Sequence, residues 1–146
     1  MKETTPRIGA RRHARECALQ ALYNADVSNV STLDALTAVE TYFAGGELEE
    51  ATRTFARQLV EGVSANMADL DKAIEQHSDH WRVERMARVD RNVLRLAVFE
   101  LHHLADVPKK VTLNEAVELG KKFGSEESSA FVNGVLDRIA RDVQKP

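Results

Sequence analysis

Apolar residues recur every three or four positions along most of this 146-residue chain, and no stretch alternates apolar and polar residues at period two. The segment that constrains the fold most is residues 89–104, which is apolar on nearly every side when drawn as a helix. A helix of this kind has to be surrounded by other helices. Aromatic residues make up only 5% of the chain, which leaves little for a turn-rich β fold. We therefore predict an all-α helical bundle of about seven helices.

The first half of the chain contains three predicted helices. We expect the first over about residues 10–25, and the second from Ser31 or Thr32 until the Gly45-Gly46 pair ends it. One long third helix accounts for the apolar residues that are spaced by three, four or seven between residues 48 and 74.

The second half opens with a polar break at residues 77–83, with one short helix, before the central helix. Thr112, with Glu115 three residues later, predicts a capping box at the start of the next helix. A glycine–serine break at residues 124–125 separates it from the last helix. Gly134 lies inside that last helix, which suggests that a neighbouring helix approaches it closely.

The length of the chain predicts a single domain over residues 1–146, which includes a flexible basic arm at residues 1–9. The longest apolar run, residues 96–99, is too short to cross a bilayer, so we expect no membrane partner. The lone cysteine, Cys17, excludes an internal disulfide and favours a cytoplasmic location.

Charge is distributed unevenly along the chain, although the net charge is only −3. Residues 1–15 carry +4, whereas residues 16–50 carry −7 with no lysine or arginine. Arg11, Arg12 and Arg15 fall in the first turns of the predicted helix, where the helix dipole disfavours each cation by roughly 0.3–1 kcal/mol. A phosphate partner would offset this cost. The intramolecular alternative is that the basic arm folds onto the acidic segment.

A second basic segment, residues 121–123, ends in an aromatic residue and is followed by Gly124 and later by Phe131. Lysines beside an aromatic side chain could bind phosphate while an unpaired base stacks on the ring. The alternative is that Phe123 and Phe131 pack in the core, because both lie on apolar helix faces.

Five arginines between residues 82 and 95 form a third basic candidate. Acidic residues interrupt the run, so we interpret it as a solvated or ion-paired face. The run comprises Arg82, Arg85, Arg88, Arg91 and Arg95.

No set of residues in the sequence assembles a catalytic centre. Glycine-rich phosphate loops and nucleophile motifs are absent, and Cys17 lies on an apolar helix face typical of the core. His77, Asp79 and His80 form too small a group for a metal site. We therefore expect a binding protein that is not an enzyme and has no catalytic residue, metal or cofactor.

Residues 11–23 closely resemble the opening helix of the NusB family of transcription antitermination factors. Further matches follow in family order, so the resemblance covers residues 11–137, although residues 27–80 match only in helical pattern. His13 departs from the family, which commonly has arginine there, and residues 4–6 and 8–9 lengthen the arm. The further matching segments are residues 89–95, 99–101, 106–108, 114–116, 122–124 and 131–137.

The resemblance implies two small three-helix subdomains that share a long, mostly buried helix. It also implies a function: with the ribosomal protein NusE, such proteins bind the boxA RNA of ribosomal RNA operons. This nucleates an antitermination complex with other Nus factors on RNA polymerase. Tyr23 and Asp90 are implied to bind the partner protein. The residues implied to bind RNA are Lys2, Arg7, Arg11, Arg12, Arg15, Phe123, Glu127 and Phe131.

Two other functions stay open from the sequence. One is an RNA-targeting module of the kind fused to ribosomal RNA cytosine methyltransferases, which have a NusB-like domain. The other is a purely protein-binding helical scaffold. A homodimer is also open, because the long apolar helix could bury a second copy.

Overall fold

The computed structural model describes residues 8–44 and 48–146, and within these ranges the chain is helical and contains no strand. Seven α-helices and one short 3-10 helix confirm the predicted all-α bundle of about seven helices. The elements are α1 (Ile8–Ser28), α2 (Thr32–Ala44), α3 (Glu50–Ala65), α4 (Met67–Gln76), the 3-10 helix (Val83–Arg85), α5 (Arg88–His103), α6 (Lys109–Phe123) and α7 (Ser128–Arg141).

The chain divides into two compact units, residues 1–61 and residues 62–146, and the boundary falls inside α3. In the first unit α1 packs against α2. The core of this unit consists of small and branched side chains at helical spacing, as the periodicity predicts. Its buried residues include Ala14, Cys17, Ala18, Ala21, Leu22, Leu36, Val39, Ala56 and Leu59.

In the second unit α5 is the central helix and packs against α4, α6 and α7. Apart from Arg95, every residue from Asn92 to Leu101 is buried. This confirms the prediction that an all-round apolar helix is surrounded by its neighbours. Glu100 is buried in the last turn of α5, and its Oε1 accepts a hydrogen bond of 2.8 Å from the Thr112 hydroxyl of α6.

The predicted capping box at Thr112 is wrong. Helix α6 begins three residues earlier, at Lys109, and Pro108 holds the N-cap position with extended backbone angles (φ −62°, ψ 148°). Proline suits the start of a helix because its missing N–H would be unsatisfied there in any case. The Thr112 hydroxyl, already inside the helix, instead satisfies the buried carboxylate of Glu100.

The prediction of a single long helix over residues 48–74 is wrong. The helix is interrupted at Asn66, so this segment forms two helices, α3 and α4. The Asn66 side-chain amide donates to the Gly62 carbonyl oxygen at 2.8 Å, and the Asn66 backbone N–H is shared between the carbonyls of Gly62 and Val63. An asparagine that bonds its own backbone in this way competes with the regular helical pattern.

The polar break at residues 77–83 is confirmed. Asp79 and His80 both adopt positive φ angles (56° and 65°), which a helix cannot accommodate. Arg138 of α7 donates to the His77 carbonyl oxygen at 2.8 Å and thereby holds this turn.

Lys109 ties the start of α6 to the end of α7, and this contact predicts a loss of stability on substitution. Its Nζ donates to the carbonyl oxygens of Ala140 and Val143 at 3.0 and 3.1 Å. Lys109→Met should lower the free energy of unfolding by about 1–2 kcal/mol, because charged donors at the end of a helix would be lost. Urea unfolding of Lys109→Met and of the exposed neighbour variant Lys110→Met measures this; equal stabilities would contradict the prediction.

Candidate nucleic-acid interface

Helix α1 begins at Ile8, two residues earlier than predicted, so residues 8 and 9 belong to the helix and not to the arm. Arg11 ends the first turn, Arg12 follows it, and Arg15 lies a full turn further on. The helix-dipole argument therefore applies to Arg11 and weakens for Arg15, because the effect is confined to the first turn. Lys2 and Arg7 lie outside the described residues.

The three arginines of α1 differ sharply in exposure. Arg11 and Arg12 are exposed, whereas Arg15 is only 4% exposed. The structure therefore offers Arg11 and Arg12 to a ligand and leaves little of Arg15 accessible. That Arg15 contacts RNA stays a prediction.

Phe55 of α3 lies beneath this basic segment. The Cζ atom of Arg11 is 4.2 Å from the centroid of the Phe55 ring, and that of Arg15 is 5.4 Å from it. Both distances are within the range of cation–π interactions. Thr52, one turn before Phe55, donates a long hydrogen bond of 3.4 Å to the Ala10 carbonyl oxygen of α1. Sequence reasoning missed both residues, because the family resemblance is weak across α3.

The remaining predicted features of the first unit are structural. Cys17 is fully buried, and its pKa is raised to about 11 by burial and by the nearby carboxylates of Glu16 and Glu40. The thiol is therefore protonated at neutral pH and belongs to the core, as predicted. Glu40, from the acidic segment, pairs with Arg57 Nη2 at 3.4 Å. Tyr23 is half-buried on α1, and its role in partner binding stays a prediction.

In the second unit the aromatic candidates lie where α6 ends and α7 begins. Phe123, the last residue of α6, is 37% exposed, and the Lys122 Nζ is 5.5 Å from its ring centroid. Phe131 is half-buried, and Glu127 is exposed at the N-cap position of α7. Phe123 is thus an accessible ring and not a core side chain, which supports the stacking alternative.

The loop between α6 and α7 is tightly closed. The buried Ser128 hydroxyl accepts a hydrogen bond of 2.9 Å from the Ser125 backbone N–H. A Cβ at Gly124 would overlap the Ser128 side chain and lie 2.9 Å from the Gly120 carbonyl oxygen, so only glycine fits there. The position of Phe123 at the edge of this loop is therefore well defined.

Asp90 lies in the first turn of α5, where the helix dipole favours a carboxylate. The side chain is half-buried, and its Oδ1 has no hydrogen-bond partner among the described residues. A buried acceptor without a partner costs free energy, and a hydrogen bond from a bound donor would remove that cost.

The arginine run of residues 82–95 is largely paired within the second unit, as predicted. Arg95 forms a bidentate pair with Asp71 at 2.8 and 3.0 Å. Arg91 donates to the carbonyl oxygens of Val83 and Glu84, and Arg82 pairs with Glu84 at 3.1 Å. These contacts occupy Arg82, Arg91 and Arg95, three of the five arginines, so we do not take this run as the candidate interface. No helix in residues 8–44 or 48–146 has the length and apolarity needed to cross a membrane.

The model of the NusB family matches residues 12–141. This chain belongs to the NusB family. It is 52% identical over 145 residues to a protein from Myxococcus xanthus that is named transcription antitermination protein NusB. That match covers 95% of this chain and 100% of the relative.

Solved structures of NusB proteins share the fold. T. maritima NusB is 35% identical with a TM-score of 0.83, over 97% of this chain and 94% of that chain. A crystal structure of the antitermination factors NusB and NusE in complex with dsRNA matches at 28% identity and a TM-score of 0.83. That match covers 92% of this chain and 98% of the other.

NusB membership confirms the resemblance drawn from the sequence and places this chain among transcription antitermination factors, which are not enzymes. It does not test the individual RNA-binding and partner-binding residues. The NusB model begins at Arg12, so Lys2, Arg7 and Arg11 lie outside the matched segment.

Proposed function

We propose that this NusB-family chain binds the boxA RNA of ribosomal RNA operons together with ribosomal protein NusE. The bound complex then recruits other Nus factors and acts on RNA polymerase in the cytoplasm. The observation that carries the proposal is the exposure of Arg11 and Arg12 at the start of α1, within residues 1–15, which carry a net charge of +4. Guanidinium groups there, with the adjacent helix N-terminus, suit RNA phosphates.

The two units supply different contacts in this proposal. Arg11 and Arg12 bind phosphate, and Lys2 and Arg7 extend the basic segment toward the N-terminus. Arg15, which is only 4% exposed, is the fifth residue that we assign to the same RNA.

In the second unit the exposed ring of Phe123 stacks on an unpaired base. Glu127 and Phe131 border the same loop. A carboxylate accepts hydrogen bonds from base amino groups, which gives Glu127 a means of base selection.

Tyr23 and Asp90 are assigned to NusE. Asp90 Oδ1 is a buried acceptor without a partner among the described residues, so a donor from NusE would satisfy it. The solved complex of NusB and NusE with dsRNA supports a NusE partner for this chain, because a chain of that complex matches 92% of it at 28% identity.

The two other candidate functions have less support. The relative from Myxococcus xanthus is matched over its whole length and is named for antitermination, which gives a methyltransferase module no support. A purely protein-binding scaffold would need the basic segment to be neutralised internally. The exposed Arg11 guanidinium lies over the Phe55 ring, and this contact leaves its positive charge in place.

The dependence of RNA binding on salt tests the proposed function. Four or five phosphate contacts on a single strand should give a slope of about −3 to −3.5 when the logarithm of the binding constant is plotted against that of salt concentration. The measurement is a titration of boxA RNA, with and without NusE, in single-stranded and in duplex form.

Salt-independent binding would contradict the phosphate contacts, and tighter binding of duplex would contradict base stacking on Phe123. Binding of NusE without any binding of RNA, alone or in the mixture, would favour the scaffold. Light scattering on the chain alone decides between a monomer and a homodimer.

A further inference from the structure

We propose that Phe55 of α3 is a positioning residue of the RNA-binding site, and that it acts by holding the Arg11 guanidinium over its ring. This inference rests on the proposed function in one respect, namely that Arg11 contacts phosphate. It gives α3 a role, although this part of the sequence carries no recognisable binding motif.

The geometry shows that Phe55 acts through arginine and not on RNA itself. Its ring is 5% exposed, so no base can stack on it. The Arg11 guanidinium, 4.2 Å from the ring centroid, belongs to an exposed residue. The arginine therefore lies between the ring and the outside, where it can meet a ligand.

The chemistry of stacking leaves the binding groups of Arg11 available. A cation over an aromatic ring interacts through the face of the guanidinium plane. The five N–H donors lie in that plane and point outward from its edges, in the fork that matches two phosphate oxygens. Stacking on Phe55 thus restrains Arg11 without using its donors.

Restraint matters because a free arginine side chain samples many rotamers. Those rotamers are lost when the side chain binds a phosphate, and the lost freedom weakens binding. A guanidinium that is already held over Phe55 has lost much of that freedom before RNA arrives. The ring is therefore expected to raise affinity without touching RNA.

Helix α3 also fixes the backbone beneath Arg11. The hydroxyl of Thr52, which is almost fully buried, donates to the Ala10 carbonyl oxygen, one residue before Arg11. The Cζ atom of Arg15, which is nearly buried, lies 5.4 Å from the centroid of the same ring, so the ring contacts both arginines. Three contacts from one turn of α3 thus set the position of the basic segment.

The experiment compares Phe55→Leu, which removes the π face, with Phe55→Tyr, which keeps it. Phe55→Leu should weaken boxA RNA binding roughly two- to tenfold, while Phe55→Tyr should bind within about twofold of the unaltered chain. The salt slope of Phe55→Leu should also become shallower, by up to about 0.7, if the Arg11 contact is lost. Circular dichroism checks that the variants fold, and Phe55→Met replaces Phe55→Leu if that variant does not.

A matched control separates positioning from general packing. Phe99 of α5 is also buried, and its ring stacks on His103 in the second unit with centroids 5.1 Å apart. Phe99→Leu should lower thermal stability as Phe55→Leu does, yet leave RNA affinity unchanged at temperatures well below unfolding. An equal loss of affinity in both variants would overturn the inference.

A double-mutant cycle with Arg11 provides the decisive comparison. In an Arg11→Ala background, Phe55→Leu should have a much smaller effect on affinity, because the only arginine contact left to the ring among those described is that of the nearly buried Arg15. Additive losses, or a Phe55→Tyr variant as weak as Phe55→Leu, would overturn the proposal. If Arg11→Ala itself leaves binding unchanged, the assignment of Arg11 in the proposed function fails instead.

Discussion

The Arg11→Ala/Arg12→Ala variant should bind boxA RNA about 25-fold more weakly than the unaltered chain at about 0.1 M salt. Each phosphate contact on a single strand contributes about 0.7 to the slope of log affinity against log salt, so two lost contacts remove about 1.4. The deficit should therefore shrink to about tenfold when salt is raised to about 0.2 M. Fluorescence titrations at several salt concentrations measure both quantities.

The control removes the two arginines in the last turn of α7. Arg138 lies 3.8 Å from an oxygen of Asp79, and Arg141 pairs with Asp137 at 2.8 Å, so both already have acidic partners. Arg138→Ala/Arg141→Ala changes the net charge by the same amount but should leave the salt slope unaltered. If both double variants lose equal affinity, binding follows overall charge and the site at α1 is not specific.

The fold could be predicted from the sequence because its strongest signal is independent of tertiary detail. A helix that is apolar on every side has one solution, burial among other helices, and α5 adopts it. The predicted break at Gly124 behaves similarly, because α6 ends at Phe123 just before it, whereas Gly45 and Gly46 lie outside the described residues. Short-range rules of this kind depend only on neighbouring residues.

Predictions failed where a side chain had more than one partner within reach. Thr112 fits the capping-box pattern, but its hydroxyl donates to the buried carboxylate of Glu100 on the neighbouring helix, which needs a hydrogen-bond partner. Asn66 lies in a continuous apolar pattern, but its amide bonds the backbone one turn back and breaks the helix. Glu100 lies 12 residues from Thr112 on another helix, and the apolar periodicity carries no sign of the bond from Asn66 to Gly62.

Only part of the candidate site could be predicted from the sequence, because the rest depends on contacts between helices. The positive charge of residues 1–15 can be counted along the sequence without knowledge of the fold, so the basic segment could be located directly. Whether an arginine faces outward depends on the helix packed beneath it, which separates exposed Arg11 from buried Arg15. Phe55 lies 40 residues further along the chain, so its contact with both arginines needs the fold.

Two glycines inside helices, Gly134 and Gly62, differ in how closely they are packed. Gly134 of α7 was expected to mark close approach of a neighbouring helix, and this is wrong, because a Cβ there would meet nothing within 4 Å. Gly62 of α3 attracted no such expectation, yet a Cβ there would overlap the ring of Phe99, with Cε2 only 2.7 Å away. The two positions therefore respond to alanine in opposite directions.

Gly62→Ala is expected to lower the free energy of unfolding by about 1–2 kcal/mol, at the upper end of the net effect that the two opposing contributions allow. Alanine favours a helix over glycine by about 1 kcal/mol, but an added methyl group in a packed core costs about 1–3 kcal/mol, and here it meets a ring that is itself confined. Phe99 is 6% exposed and stacked on His103, so it has little room to rotate away. Gly134→Ala should instead raise the free energy of unfolding by about 0.5–1 kcal/mol, because only the helix preference changes.

Urea unfolding of both variants, with Phe99→Leu in each background, isolates the cause. If the overlap with the ring is responsible, Gly62→Ala should cost much less in the Phe99→Leu background, because the smaller side chain leaves room for the methyl group. Gly134→Ala should have the same effect in both backgrounds. A Gly62→Ala variant as stable as the unaltered chain would mean that the ring moves aside freely. In that case α5 would not be packed as tightly against Gly62 as the structure has it.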